Sequence, residues 1–394
     1  MIIATIKKGR EKSILQGHPW VFSGSIKAIK GNPQPGDIVT LRDEAGGFLA
    51  YAGFSPNSKI QLRVWSWDES DAVNEDFIQK QITSAILRRS SLRASNITNA
   101  YRLIHGESDG IPGLVVDQLN DVLVVQISSA ALNPWYEMIV AYLQSSTGIQ
   151  AVYERSDLAI RQLEGMEERV GWIAGEGKPT TRIIEHDVKY QIDFSGGQKT
   201  GLYIDQRENR GYLQKIAKSK DILDCFSYTG GFSLNALKGG ANSVSSVDSS
   251  ADALAGVEAN RVLNGFDSAK IETTNDDVFA YLRKLLDMGR TFDVIILDPP
   301  KFAPTRASAD KAARGYKDIN LNAMKLLRPG GDLLTFSCSG GIDMALFTKI
   351  VAGAAADASR RFHIVKRLHA GADHPVALHF PDGDYLKGLH LRVA

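Results

Sequence analysis

The chain of 394 residues is long enough for two or three domains of roughly 100–200 residues each, with ample length for buried cores. Its 46 basic and 45 acidic side chains leave a formal net charge of +1, which excludes a histone-like polycation but not a nucleic-acid enzyme, because only a local patch need be basic. The two cysteines, Cys225 and Cys338, exclude a disulfide scaffold and a four-thiolate zinc site. No apolar run reaches the ~18 residues of a membrane span, and the opening MIIATIKKGREKS lacks a signal-peptide core, so a cytoplasmic protein without membrane contact is expected.

Residues 1–72 read as a small β-rich module. The runs IVTLR, FLAYAGF and IQLRVW are strand-like, and PQPGD and DEAGG are turn signals. Its first 30 residues hold Lys7, Lys8, Arg10, Lys12, Lys27 and Lys30 against Glu11 alone, a local charge of +5. That strip is readable as a solvated face or as a surface that tracks phosphates. Residues 73–93 carry Phe77, Ile78, Ile82, Ala85, Ile86 and Leu92 at helical spacing, which predicts a connecting helix. Residues 100–185 predict strand, strand, helix, strand, strand: two strands in GLVVDQLNDVLVVQIS, a helix from Pro134, then IQAVYER and RVGWIAG. That order suits a small α+β domain, with boundaries at 73–185.

From residue 186 to 394 the pattern changes to α/β. Strands are expected at 222–226, 243–248, 269–276, 292–298 and 331–339, with helices at 231–239, 250–264, 277–288 and 317–327. Strand–helix alternation implies a parallel sheet with right-handed crossovers. The tail, FHIVKRLHAGADHPVALHF and YLKGLHLRVA, predicts an antiparallel hairpin at one edge of that sheet.

Ligands of such sheets bind beyond the carboxyl ends of the strands. The first strand ends at Asp224, and Cys225-Phe-Ser-Tyr-Thr-Gly-Gly-Phe232 runs from it into a helix, with Gly230 allowing close backbone approach. Asp248, eighteen positions beyond Gly230, ends the second strand, where a carboxylate accepts ribose hydroxyls. A Gly-Gly turn alone is a weak signal, since a minority of such turns are merely structural. No glycine precedes Tyr228, so the pyrophosphate loop of a dinucleotide site is absent. The pattern favours a nucleoside without phosphates, and S-adenosylmethionine fits. Asp277, after the third strand, is readable as an acceptor for the adenine amino group, as a helix N-cap, or as both.

The fourth strand ends in Asp298-Pro-Pro-Lys301-Phe302, where two prolines present Asp298 and Lys301 rigidly. Methyltransferases of exocyclic amines place an aromatic residue directly after the prolines. Here Lys301 intervenes, which counts against that reaction. The fifth strand ends in Ser337-Cys338-Ser339, beside Asp298. Amines and ring nitrogens need no thiol, but carbon 5 of a pyrimidine becomes nucleophilic only after a nucleophile adds to carbon 6. By position Cys338 is either that nucleophile, with a neighbouring cation such as Lys301 favouring its thiolate, or a buried thiol. Cys225, inside the turn, reads as packing.

The stretch Gly196-Gly-Gln-Lys-Thr-Gly-Leu-Tyr-Ile-Asp-Gln-Arg-Glu-Asn-Arg210, with DCFSYTGGF, DPPKF, FSCSG, GHPWVFSGSI and DHPVALHFPDGDYLKGL, closely resembles bacterial 23S ribosomal RNA cytosine-5 methyltransferases that begin with a PUA domain. The resemblance covers nearly the whole chain. It implies a β-rich PUA domain, a small α+β domain and a class I methyltransferase domain with a Rossmann-like sheet. By position, Cys338 resembles the nucleophile and Asp298 the residue that orients or activates the cytosine. Gln206, Arg207, Phe226, Tyr228, Thr229, Gly230, Asp248 and Asp277 resemble the S-adenosylmethionine shell.

The implied partner is 23S ribosomal RNA, naked or within a 50S assembly particle, and the implied state is a homodimer. In RNA cytosine-5 enzymes more widely a second cysteine often stands in the fourth-strand motif, which DPPKF lacks, so another base must take the carbon-5 proton. The target base must leave its stack. Phe302 and Tyr316 are stacking candidates, one of them expected to be packing. Lys301 and Phe302 are candidates to meet the substrate; Arg306, Lys311, Arg314 and Lys317 after DPPKF offer phosphate contacts, on a segment equally readable as a solvated loop. Lys7, Lys8 and Arg10 become RNA contacts in a PUA setting. A ring-nitrogen guanine methyltransferase, a non-catalytic RNA-binding assembly factor and, last, a nicotinamide dehydrogenase are the competing readings.

Overall fold

Alternate residues of Ile3–Ile6 are buried, as expected for strands with one face on a core. In this computed structural model, which describes residues 2–157, 159–196, 201–302 and 309–394, that strand joins a six-stranded sheet. Its spatial order is Trp20–Phe22, Ile60–Ser66, Phe48–Phe54, Ile38–Arg42, Ile3–Ile6 and Ile26–Lys30. Ala4, Ile6, Val39, Leu41, Ala52 and Leu62 form its apolar core.

A five-stranded sheet follows, in the order Arg169–Ala174, Ala151–Ser156, Val122–Ile127, Leu114–Leu119 and Ala100–His105. Helices Glu75–Arg88 and Tyr136–Thr147 pack on it through Ile78, Ile82, Ile139 and Leu143. The expected connecting helix and four strands are present. The edge strand Ala100–His105 was not expected. Its apolar positions alternate irregularly, since it bulges between Arg102 and Ile104.

The chain divides into two compact units. One takes in residues to Ile183, with Asp193–Thr200 and Ala372–Gly383; the other takes in Ile184–Ile192, Gly201–Gly371 and Asp384–Ala394. The second unit is built on a seven-stranded sheet. Its strands are β1 (Asp221–Cys225), β2 (Ser243–Asp248), β3 (Ile271–Asn275), β4 (Phe292–Leu297), β5 (Leu327–Ser337), β6 (Phe362–Leu368) and β7 (Lys387–Val393). The helices are α1 (Arg207–Ile216), α2 (Gly231–Lys238), α3 (Ala251–Asn264), α4 (Val278–Asp287), α5 (Ala309–Leu326) and α6 (Met344–Asp357).

The spatial order is β3-β2-β1-β4-β5-β7-β6, with β1 to β5 parallel and β7 antiparallel to both β5 and β6. The expected parallel sheet and its C-terminal antiparallel hairpin are both present. Leu223, Ile295, Leu297 and Leu333 are fully buried, as central strands covered on both faces require. Side chains of Ser250, Asp277 and Asp343 cap α3, α4 and α6 by accepting from Ala253, Ala280 and Leu346 amides.

Three helices depart from expectation, and α1 is the first, since no helix was expected at Arg207–Ile216. Helix α5 begins at Ala309, eight residues earlier than read, so Lys311, Arg314 and Lys317 lie on a helix and not on a solvated loop. Helix α6 was not anticipated: its buried face is Phe347, Ile350, Val351 and Ala354, but Ala345, Ala352 and Ala356 on the exposed side are apolar too and blur the period. No helix among the described residues is long and apolar enough to cross a membrane.

Candidate active site

The carboxyl ends of β1, β2, β4 and β5 converge at the point where strand order reverses, between β1 and β4. From β1 the chain enters a turn with three left-handed residues, Phe226 (φ 62°), Tyr228 (φ 48°) and Gly230 (φ 82°). Two of the three carry side chains, so this backbone is strained and must be held from outside. The Ser227 amide donates to Val247 O at 3.1 Å, and the Tyr228 amide to Asp248 Oδ2 at 2.9 Å. At Gly230 a Cβ would stand 3.0 Å from a Val257 methyl of α3, so the glycine permits the approach of helix to turn.

The residues expected around a cofactor are brought to this one edge. Asp248 is half-buried, and its other oxygen accepts from the Ser250 amide at 2.9 Å. Asp277 is exposed and caps α4. Thr229 is half-buried and donates to Gly201 O at 3.4 Å. Gln206 and Arg207, at the start of α1, are buried.

Gln206 Oε1 accepts from Asn209 at 2.6 Å, while its Nε2 has no acceptor among the described residues. Asp224 is comparable: Oδ2 accepts from Ser233 Oγ at 2.6 Å, and Oδ1 has no donor among the described residues. Buried polar atoms left so are costly unless a ligand meets them. The Asp224 carboxyl is pushed up to about 7 by burial and by the nearby Asp298 and Asp248 carboxylates, against the Ser233 hydrogen bonds. An open donor, an open acid and a strained glycine turn beside a ribose-type acid fit a nucleoside bearing a cationic side chain.

The second half of the site lies one strand over. Leu297 of β4 pairs with Thr335 of β5, and the chain beyond them carries Asp298-Pro299 and Cys338. Cys338 is half-buried, with Sγ 4.0 Å from Pro299 O, so thiol and DPP motif meet. Cys225, by contrast, is fully buried in the apolar core, and burial and Asp224 push its thiol up.

Tyr316 is fully buried, bonds Ser339 Oγ at 2.9 Å and packs on Phe347; of the two stacking candidates it is the one that serves as packing. Phe302 is half-buried, and its ring rests on Tyr316 at 4.8 Å and Phe279 at 5.9 Å. Lys301, Lys311 and Arg314 are exposed, while Lys317 pairs with Asp357 at 2.7 Å. Arg306 lies outside the described residues.

In the first unit Lys7, Lys8, Arg10 and Lys12 are exposed. Lys7 spends one bond on Gly24 O at 2.9 Å. Three residues of the site were not singled out from the sequence. Tyr203 stacks edge-on against Tyr228 at 5.6 Å, and burial together with the Asp298, Tyr228, Asp205 and Cys338 charges raises its phenol, which stays neutral. Asp224 and Lys387 are the others; each sits in a quoted motif, but only burial distinguishes it.

A family model of S-adenosylmethionine-dependent methyltransferases matches residues 101–392. The chain belongs to this family. A PUA-like domain model matches residues 4–67, so the expected combination of a β-rich PUA-like module with a methyltransferase fold is borne out. The chain is 45% identical over 389 residues to "Ribosomal RNA large subunit methyltransferase I" of Cronobacter sakazakii, covering 98% of each chain. It is 46% identical to the Vibrio cholerae protein of the same name, again covering 98% of each. A solved structure described as a methyltransferase of Streptococcus mutans superposes with a TM-score of 0.86 at 23% identity, covering 100% of both chains. Another, complexed with S-adenosylhomocysteine, gives 0.87 at 23% identity. These two similarities bear on the fold alone. The enzyme's methyl donor is S-adenosylmethionine.

Proposed function

We propose that this methyltransferase acts on 23S ribosomal RNA and forms 5-methylcytidine through a covalent adduct of Cys338. The observation that carries the reading is the approach of Cys338 Sγ to the Pro299 carbonyl, which sets a thiol beside Asp298 at the cofactor edge of the sheet. The large-subunit ribosomal RNA comes from the names of its relatives. Asp248 accepts the ribose hydroxyls, Asp277 faces the adenine, and Gln206, Arg207, Phe226, Tyr228, Thr229 and Gly230 complete the cofactor shell. When bound, the cofactor supplies a methyl group on a sulfonium.

The Cys338 thiolate adds to cytosine carbon 6, and Asp298 delivers a proton toward the ring nitrogen that gains electron density. Carbon 5 is then an enamine carbon able to accept the methyl group. Methyl transfer releases the neutral thioether S-adenosylhomocysteine; a base, solvent water included, then takes the carbon-5 proton, and with return of the ring proton to Asp298 the carbon–sulfur bond breaks and expels Cys338 as thiolate. Lys301 and Phe302 meet the flipped nucleotide, while Lys7, Lys8 and Arg10 hold flanking phosphates.

The test is Cys338→Ala, with methylation of ribosomal RNA from cells lacking the enzyme as the readout. Loss of a single 5-methylcytidine is expected. Full activity of the variant overturns the covalent mechanism and favours a ring-nitrogen target.

A further inference from the structure

Lys387 opens β7 and is 3% exposed. Burying an ammonium costs several kcal/mol unless its donors and its charge are met. Two donors are met: Nζ donates to Ser339 O at 2.9 Å and to Tyr385 O at 2.7 Å. The third N–H finds no acceptor among the described residues. The charge therefore needs a counterpart.

Position supplies one. Ser339 directly follows Cys338, so the ammonium is tied to the peptide of the residue after the thiol. In the β5–β7 ladder Lys387 is also paired with Ser337, the residue before it. The thiol-bearing turn is thus gripped on both sides by one lysine.

The charges around Lys387 agree. Burial lowers its ammonium, Cys338 is the strongest influence that raises it, Asp384 and Asp343 add to that, and Lys301 opposes it. Coulomb attraction is mutual, so a thiolate that stabilises the ammonium is stabilised by it to the same extent. Tyr203 and Tyr316 also feel Cys338, but as neutral phenols they bring no charge. Lys301 is exposed, where water screens it.

We propose that Lys387, and not Lys301, is the positioning residue of the nucleophile: its buried ammonium holds Cys338 as a thiolate and fixes the turn that carries it. Forming the carbon–sulfur bond removes the largest of the negative charges that meet the ammonium and leaves it with the weaker Asp384 and Asp343 alone. The same lysine thereby favours the thiolate as the leaving group when the adduct breaks. Lys387 keeps its proton throughout. The role rests on the reading of Cys338 as nucleophile.

The test measures the thiol itself. Full-length enzyme is alkylated with iodoacetamide from pH 5 to 10, and modification of Cys338 is followed by peptide mass, with buried Cys225 as the unreactive control. In the unaltered enzyme a midpoint below the ordinary ~8.5 is expected; one at or above that value overturns the proposal without any variant. Lys387→Met raises the midpoint by about one unit and slows alkylation at pH 7 about tenfold, while Lys387→Arg restores most of the rate. An unmoved midpoint in a Lys387→Met enzyme that still binds S-adenosylhomocysteine also overturns it. Should the midpoint move while Cys338→Ala keeps full methylation, the charge pairing stands and the covalent mechanism falls. If Cys338→Ala is inactive and the midpoint does not move, the reverse holds.

Discussion

Replacing Arg210 by Met tests how the cofactor edge is held. Arg210 and Glu185 are almost wholly buried, with side-chain exposures of 2% and 1%. They meet through two parallel bonds, Nε to Oε1 at 2.6 Å and Nη2 to Oε2 at 2.5 Å. The remaining nitrogen, Nη1, donates to Tyr203 O at 2.8 Å, so the pair tethers the residue that faces Tyr228. Removing the guanidinium leaves a carboxylate in an apolar interior, a loss of about 3–5 kcal/mol. At about 2–4 °C per kcal/mol for a unit near 200 residues, its transition should fall by roughly 6–20 °C.

The assay separates the two units. All five tryptophans, Trp20, Trp65, Trp67, Trp135 and Trp172, lie in the first unit, so their fluorescence should report an unchanged transition. Calorimetry should show the second one shifted. Arg210→Met with Glu185→Leu should recover most of the stability, because the stranded charge is gone, but not methylation, because the Tyr203 tether is still lost. A single variant that loses under about 1 kcal/mol, or a double variant no more stable than the single, refutes the argument.

Other perturbations have definite outcomes. The folded state raises the Asp224 carboxyl to about 7, so it binds a proton that the unfolded chain releases near 4; the associated stability is full below that lower value and lost as pH rises through 7. Asp224→Asn should therefore gain on the parent by about 1.4 kcal/mol per pH unit between about 4 and 7, then level off, as denaturant titrations at each pH can show; a pH-independent difference removes the proposed shift. Gly230→Ala forces a side chain to φ 82° and against Val257, so about 1–2 kcal/mol of strain should weaken S-adenosylhomocysteine binding some tenfold by calorimetry; unchanged affinity would mean the turn relaxes freely. Replacing Lys7, Lys8 and Arg10 together by Ala should reduce the slope of log affinity against log salt by about 2–3 on ribosomal RNA fragments; an unaltered slope means this strip does not touch phosphate.

The sheet was legible because its central strands are short apolar runs closed by acids, and the intervening helices keep a 3.6-residue period. Helix α6 was not, because exposed alanines such as Ala345, Ala352 and Ala356 are apolar and hide the spacing of Phe347, Ile350, Val351 and Ala354 on its buried face. Cys338, Asp298 and the cofactor turn were legible for a different reason: each stands at a strand end, where residue type has meaning for chemistry. Tyr203, Asp224 and Lys387 are ordinary by type. Nothing in the sequence says that an acid will be enclosed beside two others, or that a lysine will be 3% exposed, because burial depends on what the sheet brings across from other strands.

Strain ties these observations together. Phe226 and Tyr228 in left-handed conformations cost about 1–2 kcal/mol each, and within the turn the Gly230 amide donates to Ser227 O at 2.9 Å. A further offset comes from β2, through Val247 O and the Asp248 carboxylate. One oxygen of Asp248 is thereby committed to the turn and the other accepts from Ser250, leaving only their second lone pairs for a ribose. The acid proposed to orient the ribose is thus the acid that fixes the loop beneath it. A shift of β2 against β1 by even one residue would lose both functions at once. The parallel register of Cys225 with Val247 is therefore as much a part of the site as any side chain in it.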